Sequence, residues 1–185
     1  MSKVTIISGS PSEVTRLNGV LHDVLNYFHG VQTTPEIINV RHLPAEDLIL
    51  AKFDSEEIKK ANQKVEDSNI IVILTPVYKA SFTGVLKTYL DLLPQNGLEG
   101  KTVLPIAVGG TFGHLLMIDY ALKPVLSALG ATNILKGAFI LDNQINKLGN
   151  NRYALNSEAK ERLESSLESI KPSLTTRESG SRSIV

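Results

Sequence analysis

The chain has 185 residues, 42% of them hydrophobic and 21% charged, with 19 Lys and Arg balancing 19 Asp and Glu. That is one ordinary domain with enough apolar residues for a core, and its even charge offers no basic field to gather nucleic acid and no basic run for a membrane surface. No cysteine is present, which excludes disulfides, thiol catalysis and thiolate metal sites, and the apolar runs fall far short of the roughly 20 residues of a membrane span.

The amino terminus, Met1 to Ile7, lacks the apolar core of a signal peptide and runs straight into a strand pattern. A cytoplasmic protein is expected. Val4 to Ser8 reads as a short buried strand. Leu17 to Phe28 reads as a helix, with Leu17, Val20, Leu21, Val24, Leu25 and Phe28 recurring at the helical period. Glu36 to Val40 is a second strand. Ser55 offers an N-cap ahead of Glu56 and Glu57, starting a helix that runs to about Glu66. Asn69 to Thr75 contains the most apolar run and is strand three; Gly84 to Leu93 is a helix stopped by Pro94.

Thr102 to Val108 is strand four, and the glycine-rich segment after it leads into a helix ending near Leu129, with Gly130 as its stop. Asn133 to Leu141 is strand five, and Ser157 to Ile170 the last helix. Residues 1–172 form one domain, and 173–185 read as a disordered tail. Apolar strands alternating with helices predict an α/β fold, a doubly wound five-stranded parallel sheet with helices on both faces. The flavodoxin-like order 2-1-3-4-5 places a switch point between strands one and three, and ligands bind at the carboxyl edge there.

Three loops are predicted at that edge. The first, Ser8 to Arg16, links a strand to a helix N-terminus and aims backbone N–H groups at one spot, which suits a phosphate. Ser10, Ser12, Thr15 and Asn18 add polar side chains and Arg16 a cation. The loop is neither a Walker A sequence nor a Gly-x-Gly-x-x-Gly fingerprint, and the plainer reading is a turn with Thr15 as helix cap. The second, Thr75 to Gly84, offers Pro76, Val77 and Tyr78 as a surface for a flat ring, beside Lys79 and Ser81; the plainer reading is that Tyr78 covers core. The third, Gly109 to His114, has three glycines that permit close approach, or is a simple turn capped by Thr111. No His, Asp or Glu spacing matches a metal site, and no Ser-His-Asp arrangement supports hydrolysis. In the helix after the third loop, Pro124 cannot donate to the carbonyl of Tyr120, so a turn must kink or form a π-bulge. Its apolar residues exceed one buried face, which favours contact with another subunit.

These segments resemble the NAD(P)H-dependent FMN reductases. The resemblance rests on Gly9-Ser10-Pro11, Ala45-Glu46-Asp47-Leu48, Thr75 to Ala80, Leu86 to Pro94 and Gly109-Gly110-Thr111. The run from His114 to Leu129, with Asp119, Tyr120 and Lys123-Pro124, is similar to the members that serve bacterial alkanesulfonate monooxygenases. The resemblance spans about Lys3 to Asn143. It implies a flavodoxin-like fold, a homo-oligomer (dimer or tetramer), and reduction of FMN by NADPH or NADH for a separate monooxygenase. It also implies that Ser10, Thr15, Arg16 and Asn18 hold the FMN phosphate. Pro76, Val77, Tyr78 and Ser81 then border the isoalloxazine ring, with Gly110 and Thr111 on its other side and Tyr120 in a π-helix as a gate on flavin transfer. Relatives often carry arginine where this chain has Ser12, so contacts there are expected to differ. Hydride transfer by orientation needs no catalytic acid or base. An FMN-containing quinone or azo reductase, an electron carrier and a nucleotide-binding regulatory module are the competing readings.

Overall fold

The computed structural model describes residues 2–175. At the centre, β1 (Val4–Ser8) pairs in parallel with β2 (Glu36–Asn39) on one side and β3 (Ile70–Tyr78) on the other. A two-residue strand, β4 (Ser81–Phe82), folds back antiparallel on the end of β3. Next comes β5 (Thr102–Gly109), which pairs in parallel with β3 and carries β6 (Asn133–Ile134) and β7 (Ala138–Leu141) on its outer side. The order β2-β1-β3-β5 and then β6 with β7 is the predicted 2-1-3-4-5, with the last strand in two pieces.

Alternation along the strands assigns the faces. Ile70, Val72 and Leu74 of β3 and Leu104, Ile106 and Val108 of β5 share a core with α1 (Leu17–Gly30). The neighbours Ile71, Ile73 and Val103 point the opposite way. There they meet α3 (Glu56–Asp67), α4 (Gly84–Leu90) and α5 (Lys123–Ala128), which follow α2 (Ala45–Ile49) in the chain. The central strands are buried on both faces, which is why they read as continuous apolar runs rather than as alternating ones.

The break in the outer strand has a cause on its neighbour. Val103 accepts the N–H of Leu135 at 2.9 Å, and in a parallel strand residues two apart turn their polar groups to the same side. Pro105 therefore faces the outer strand with no N–H to give. The register runs Val103↔Ile134 and then Ile106↔Ala138, so the outer strand spends one residue more than β5 there, a β-bulge. Gly137 turns this corner at φ +83°, packed on the Pro105 carbonyl and ring.

Two predicted helix ends hold, while α4 stops at Leu90, short of the end expected at Leu93 before Pro94. Ser55 caps α3 by accepting the N–H of Ile58. Gly130, at φ +87°, closes α5 as a Schellman motif: its N–H meets the Ser127 carbonyl at 3.0 Å and that of Ala131 meets Leu126 at 3.1 Å. Beyond β7 comes a hairpin absent from the sequence expectation, β8 (Ile145–Gly149) and β9 (Arg152–Leu155). Its tip residues Asn150 and Asn151 both have positive φ, the backbone of a type I′ turn. Tyr153 of β9 packs on Gly19 of α1, where a Cβ would come within 3.0 Å of the Tyr153 Cβ. The chain then enters α6 (Ser157–Glu168), which shares the α1 core, and a short α7 (Lys171–Thr175). Ser173 of α7 is tied to Thr102 at 2.7 Å and to Ser2 at 2.9 Å. The segment 173–185, expected as a disordered tail, thus begins inside α7, and residues 176–185 lie outside the described part.

Candidate functional site

Because β1, β3 and β5 are adjacent and parallel, the loops that leave their carboxyl ends lie side by side. The first begins at Gly9, whose N–H extends the ladder to the Leu74 carbonyl at 2.8 Å. A Cβ on Gly9 would meet the Leu86 Cβ at 2.6 Å, so the loop is pressed against the first turn of α4. Thr83 joins the two. Its hydroxyl donates to the Gly9 carbonyl at 2.5 Å and accepts the Leu86 N–H at 3.1 Å, capping α4.

Most polar side chains expected to face a phosphate here instead shape the loop. The Ser10 hydroxyl is buried; it donates to the Ser12 carbonyl and accepts the Ser12 N–H, at 3.1 and 3.2 Å. Asn18 Nδ2 donates to the Glu13 carbonyl at 2.8 Å. Thr15 Oγ1 accepts the Leu17 N–H at 3.3 Å, a local turn just ahead of α1; the N-cap of the helix is Arg16, which makes no side-chain cap bond, so Thr15 is not the cap of the plainer reading. Arg16 is exposed, and among the described residues its side chain makes no hydrogen bond or ion pair. The first turn of α1 holds no acidic residue, so its positive end faces the loop uncompensated. A second cation arrives from outside the loop: Arg41, in the 3₁₀ turn after β2, donates from an NH1 group to the Ser12 carbonyl at 3.1 Å. Sequence reasoning missed Arg41, since nothing in its own segment marks it; only the adjacency of β2 and β1 brings it there.

The second loop is not a loop throughout. β3 continues through Pro76 and Val77 to Tyr78 and turns back at Lys79 and Ala80, at φ +49° and +63°. Tyr78 then pairs with Ser81, and Val77 with Phe82. Two non-glycine residues with left-handed backbone at one tip store local strain of the kind that gathers at functional sites. Strand alternation separates the predicted ring contacts. Tyr78 is 50% exposed, whereas Val77 packs with Ala107, Met117 and Phe139. Val77 fills the space beside Gly109, where a Cβ would meet its Cγ2 at 3.1 Å and the Phe139 ring at 2.8 Å. What Val77 can present to a ligand is therefore its backbone.

In the third loop Gly110 and Thr111 are exposed, and Thr111 makes no side-chain cap bond to the 3₁₀ turn Phe112–His114. The following segment departs from a regular helix at the predicted place: Ile118–Leu122 is a π-helix, and Pro124 is the second residue of α5. The widened turn sits where Pro124 has no N–H to give to the Tyr120 carbonyl four residues back. Ile118 and Leu122 are buried, while Tyr120 is 78% exposed beside exposed Leu115 and Leu116. Asp119 and Lys123 pair at 2.7 Å. The clearest effects of burial on ionisable groups lie away from this edge. Tyr27, near Glu168, has its phenol pushed up to about 12, chiefly by burial, and burial raises Asp23 and Tyr89. Among the described residues no helix is long and apolar enough to cross a membrane.

The family profile described as NADPH-dependent FMN reductase matches residues 2–146, which include all three loops and the π-helix. The FMN reductase (NADPH) of Pseudomonas putida KT2440 is 43% identical over 94% of this chain and 89% of its own length. The FMN reductase (NADPH) of Escherichia coli K12 is also 43% identical, over 77% of this chain and 75% of its own. Among solved structures, the apo form of the NADH:FMN oxidoreductase EMOB superposes with a TM-score of 0.80 at 30% identity, covering 97% of this chain and 93% of that one. The sheet order, the three adjoining loops and these matches agree, and the chain belongs to the NADPH-dependent FMN reductase family.

Proposed function

We infer that the protein reduces FMN with NADPH or NADH and releases the reduced flavin to a separate monooxygenase, an alkanesulfonate-desulfonating enzyme by the sequence resemblance, in the cytoplasm. The family match across all three loops carries this reading. When bound, FMN supplies the hydride-accepting ring. The chain's own residues hold and orient it. The N-terminus of α1, with its first turn free of acids and with Arg16 and Arg41 nearby, suits a phosphate dianion. Ser10, Thr15 and Asn18 fix the loop around it. Pro76, Tyr78, Ser81 and the Val77 backbone border the ring, with Gly110 and Thr111 opposite. Gly9 and Gly109 keep the backbone close-packed beneath the site, where side chains would collide with Leu86 and Phe139. Water exclusion and orientation, rather than proton transfer, are the contribution of the protein.

Flavin-free protein is expected to oxidise NADPH or NADH only when FMN is added, with a rate that saturates in FMN. Loss of the nicotinamide absorbance measures this. No turnover despite confirmed FMN binding would leave an electron carrier or a regulatory module, and flavin retained through dialysis would favour a quinone or azo reductase.

The exposed Phe112, Leu115, Leu116 and Tyr120 form the face through which we propose that the chain assembles as a dimer or tetramer, with Tyr120 gating flavin transfer. Tyr120→Ala is expected to lower transfer to the monooxygenase and to change the oligomer, while the folding stability of the single chain stays within about 0.5 kcal/mol because the ring is exposed on it. Sedimentation and coupled transfer assays read this. The gate is wrong if flavin affinity, oligomeric state and transfer all match the parent protein.

A further inference from the structure

Arg162 lies on α6, yet its guanidinium fastens three segments at the carboxyl edge of the sheet. One of its NH1 protons reaches the Phe139 carbonyl at 3.3 Å, and NH1 also donates to Gln144 Oε1 at 3.1 Å. Its NH2 group is steadied by Glu158 at 2.6 Å. The guanidinium carbon stands 5.6 Å from the centroid of the Phe112 ring, within cation–π range, and that ring lies 6.4 Å from Phe139. Gln144 is buried, and its Oε1 accepts the Leu141 N–H at 3.2 Å as well. In this way one side chain holds the end of β7, the 3₁₀ turn Asp142–Gln144 and the third loop.

The third loop needs such a fastening. Gly109, Gly110 and Gly113 give it high conformational freedom to lose, and Phe112, its one large apolar side chain, is 52% exposed and gains little from burial. The turn that Arg162 fixes through Gln144 also approaches the loop, since Asp142 Oδ2 lies 3.8 Å from where a Cβ of Gly110 would stand. We propose that Arg162 is a positioning residue for the flavin site: it pre-orders the glycine-rich loop through Phe112 and the Asp142 turn through Gln144, so that binding FMN does not have to order them. This rests on the reading that Gly110 and Thr111 border the flavin. Preorganising a binding loop tightens affinity because less entropy is lost on binding. Lysine is a poor replacement, as a single ammonium cannot span Phe139, Gln144 and the Phe112 face together.

The test compares Arg162→Met, Arg162→Lys, Phe112→Leu and the Arg162→Met/Phe112→Leu double variant with the parent protein. FMN affinity is read from quenching of flavin fluorescence, order in the Asp142 turn from hydrogen exchange of the Leu141 amide, and folding from thermal melting. Arg162→Met is expected to weaken FMN binding about tenfold and to speed Leu141 exchange, with Phe112→Leu weakening it a few-fold and Arg162→Lys lying between Arg162→Met and the parent. In steady state KM for FMN rises, while kcat at saturating FMN and KM for NADPH hold. The double variant should be no weaker than Arg162→Met, because the second change removes a contact already lost.

Unchanged FMN affinity in a folded Arg162→Met protein overturns the proposal, as do additive losses in the double variant. If Arg162→Met does not fold, unchanged affinity in Phe112→Leu overturns it instead. Failure of the parent protein to bind FMN would overturn the functional reading as well, which separates the two failures.

Discussion

Gly137→Ala should lower the stability of the protein by about 2–5 kcal/mol, the largest single-site loss expected outside the apolar core. Two effects add at this position. Its φ of +83° lies in the left-handed region that an alanine occupies only with strain, and the added Cβ would fall inside the contact distance of the Pro105 carbonyl oxygen and 2.9 Å from Cγ of the same proline. The corner cannot relax outward without unpairing β6 or β7 from β5, because the bulge sits between the two paired stretches. Gly149 is the natural control. It has φ +84° with nothing within 4 Å of a Cβ, so Gly149→Ala should show the backbone strain alone, about 1–2 kcal/mol. Urea denaturation measures both, and the midpoint should fall without a change in slope. Equal losses at Gly137 and Gly149 would mean that the Pro105 contact contributes nothing.

This corner also marks the boundary of what the sequence reveals. The three central strands were readable because burial on both faces writes itself as continuous Val, Ile and Leu, and the helices between strands by their apolar period. Pro124 forecast a disturbed turn at Tyr120 because the missing N–H acts within the same helix, and Ser55 and Gly130 announced helix ends by equally local chemistry. The split of the last strand was not readable from Asn133 to Leu141, since its cause, Pro105, lies on another strand. The β8–β9 hairpin did leave a signal: Gly149-Asn150-Asn151 is a turn sequence that tolerates positive φ, though the short flanking strands pack on α1 rather than join the main sheet. At the site, residue types were legible but their partners were not. Ser10 and Asn18 have the chemistry to bind phosphate, yet the folded loop turns both onto its own backbone. Ending strand three at Thr75 hid the alternation that directs Val77 inward, and Arg41 enters only through the pairing of β2 with β1.

Thr83→Val is the substitution expected to couple stability most directly to flavin binding. Valine matches threonine in shape and keeps the site filled, so the change isolates the hydroxyl. That hydroxyl is buried and serves two segments at once, donating to the Gly9 carbonyl at 2.5 Å and accepting the Leu86 N–H at 3.1 Å. Its removal leaves α4 without its cap, about 1 kcal/mol, and the buried Gly9 carbonyl without that donor, about 1–3 kcal/mol; the combined loss is about 2–4 kcal/mol. Gly9 begins the loop proposed to hold the FMN phosphate, and its close approach to Leu86 depends on α4 staying in register with β1. FMN affinity should therefore fall along with stability, in contrast to Gly137→Ala, whose strain sits at the outer edge of the sheet. Thr83→Ser retains the hydroxyl and gives up only a methyl group, so it should recover most of both losses. Chemical denaturation and flavin-fluorescence titration of the pair decide the matter: if valine and serine at this position behave alike in both measurements, the hydroxyl does not join the first loop to α4, and the two loops of the site must be held together by packing alone.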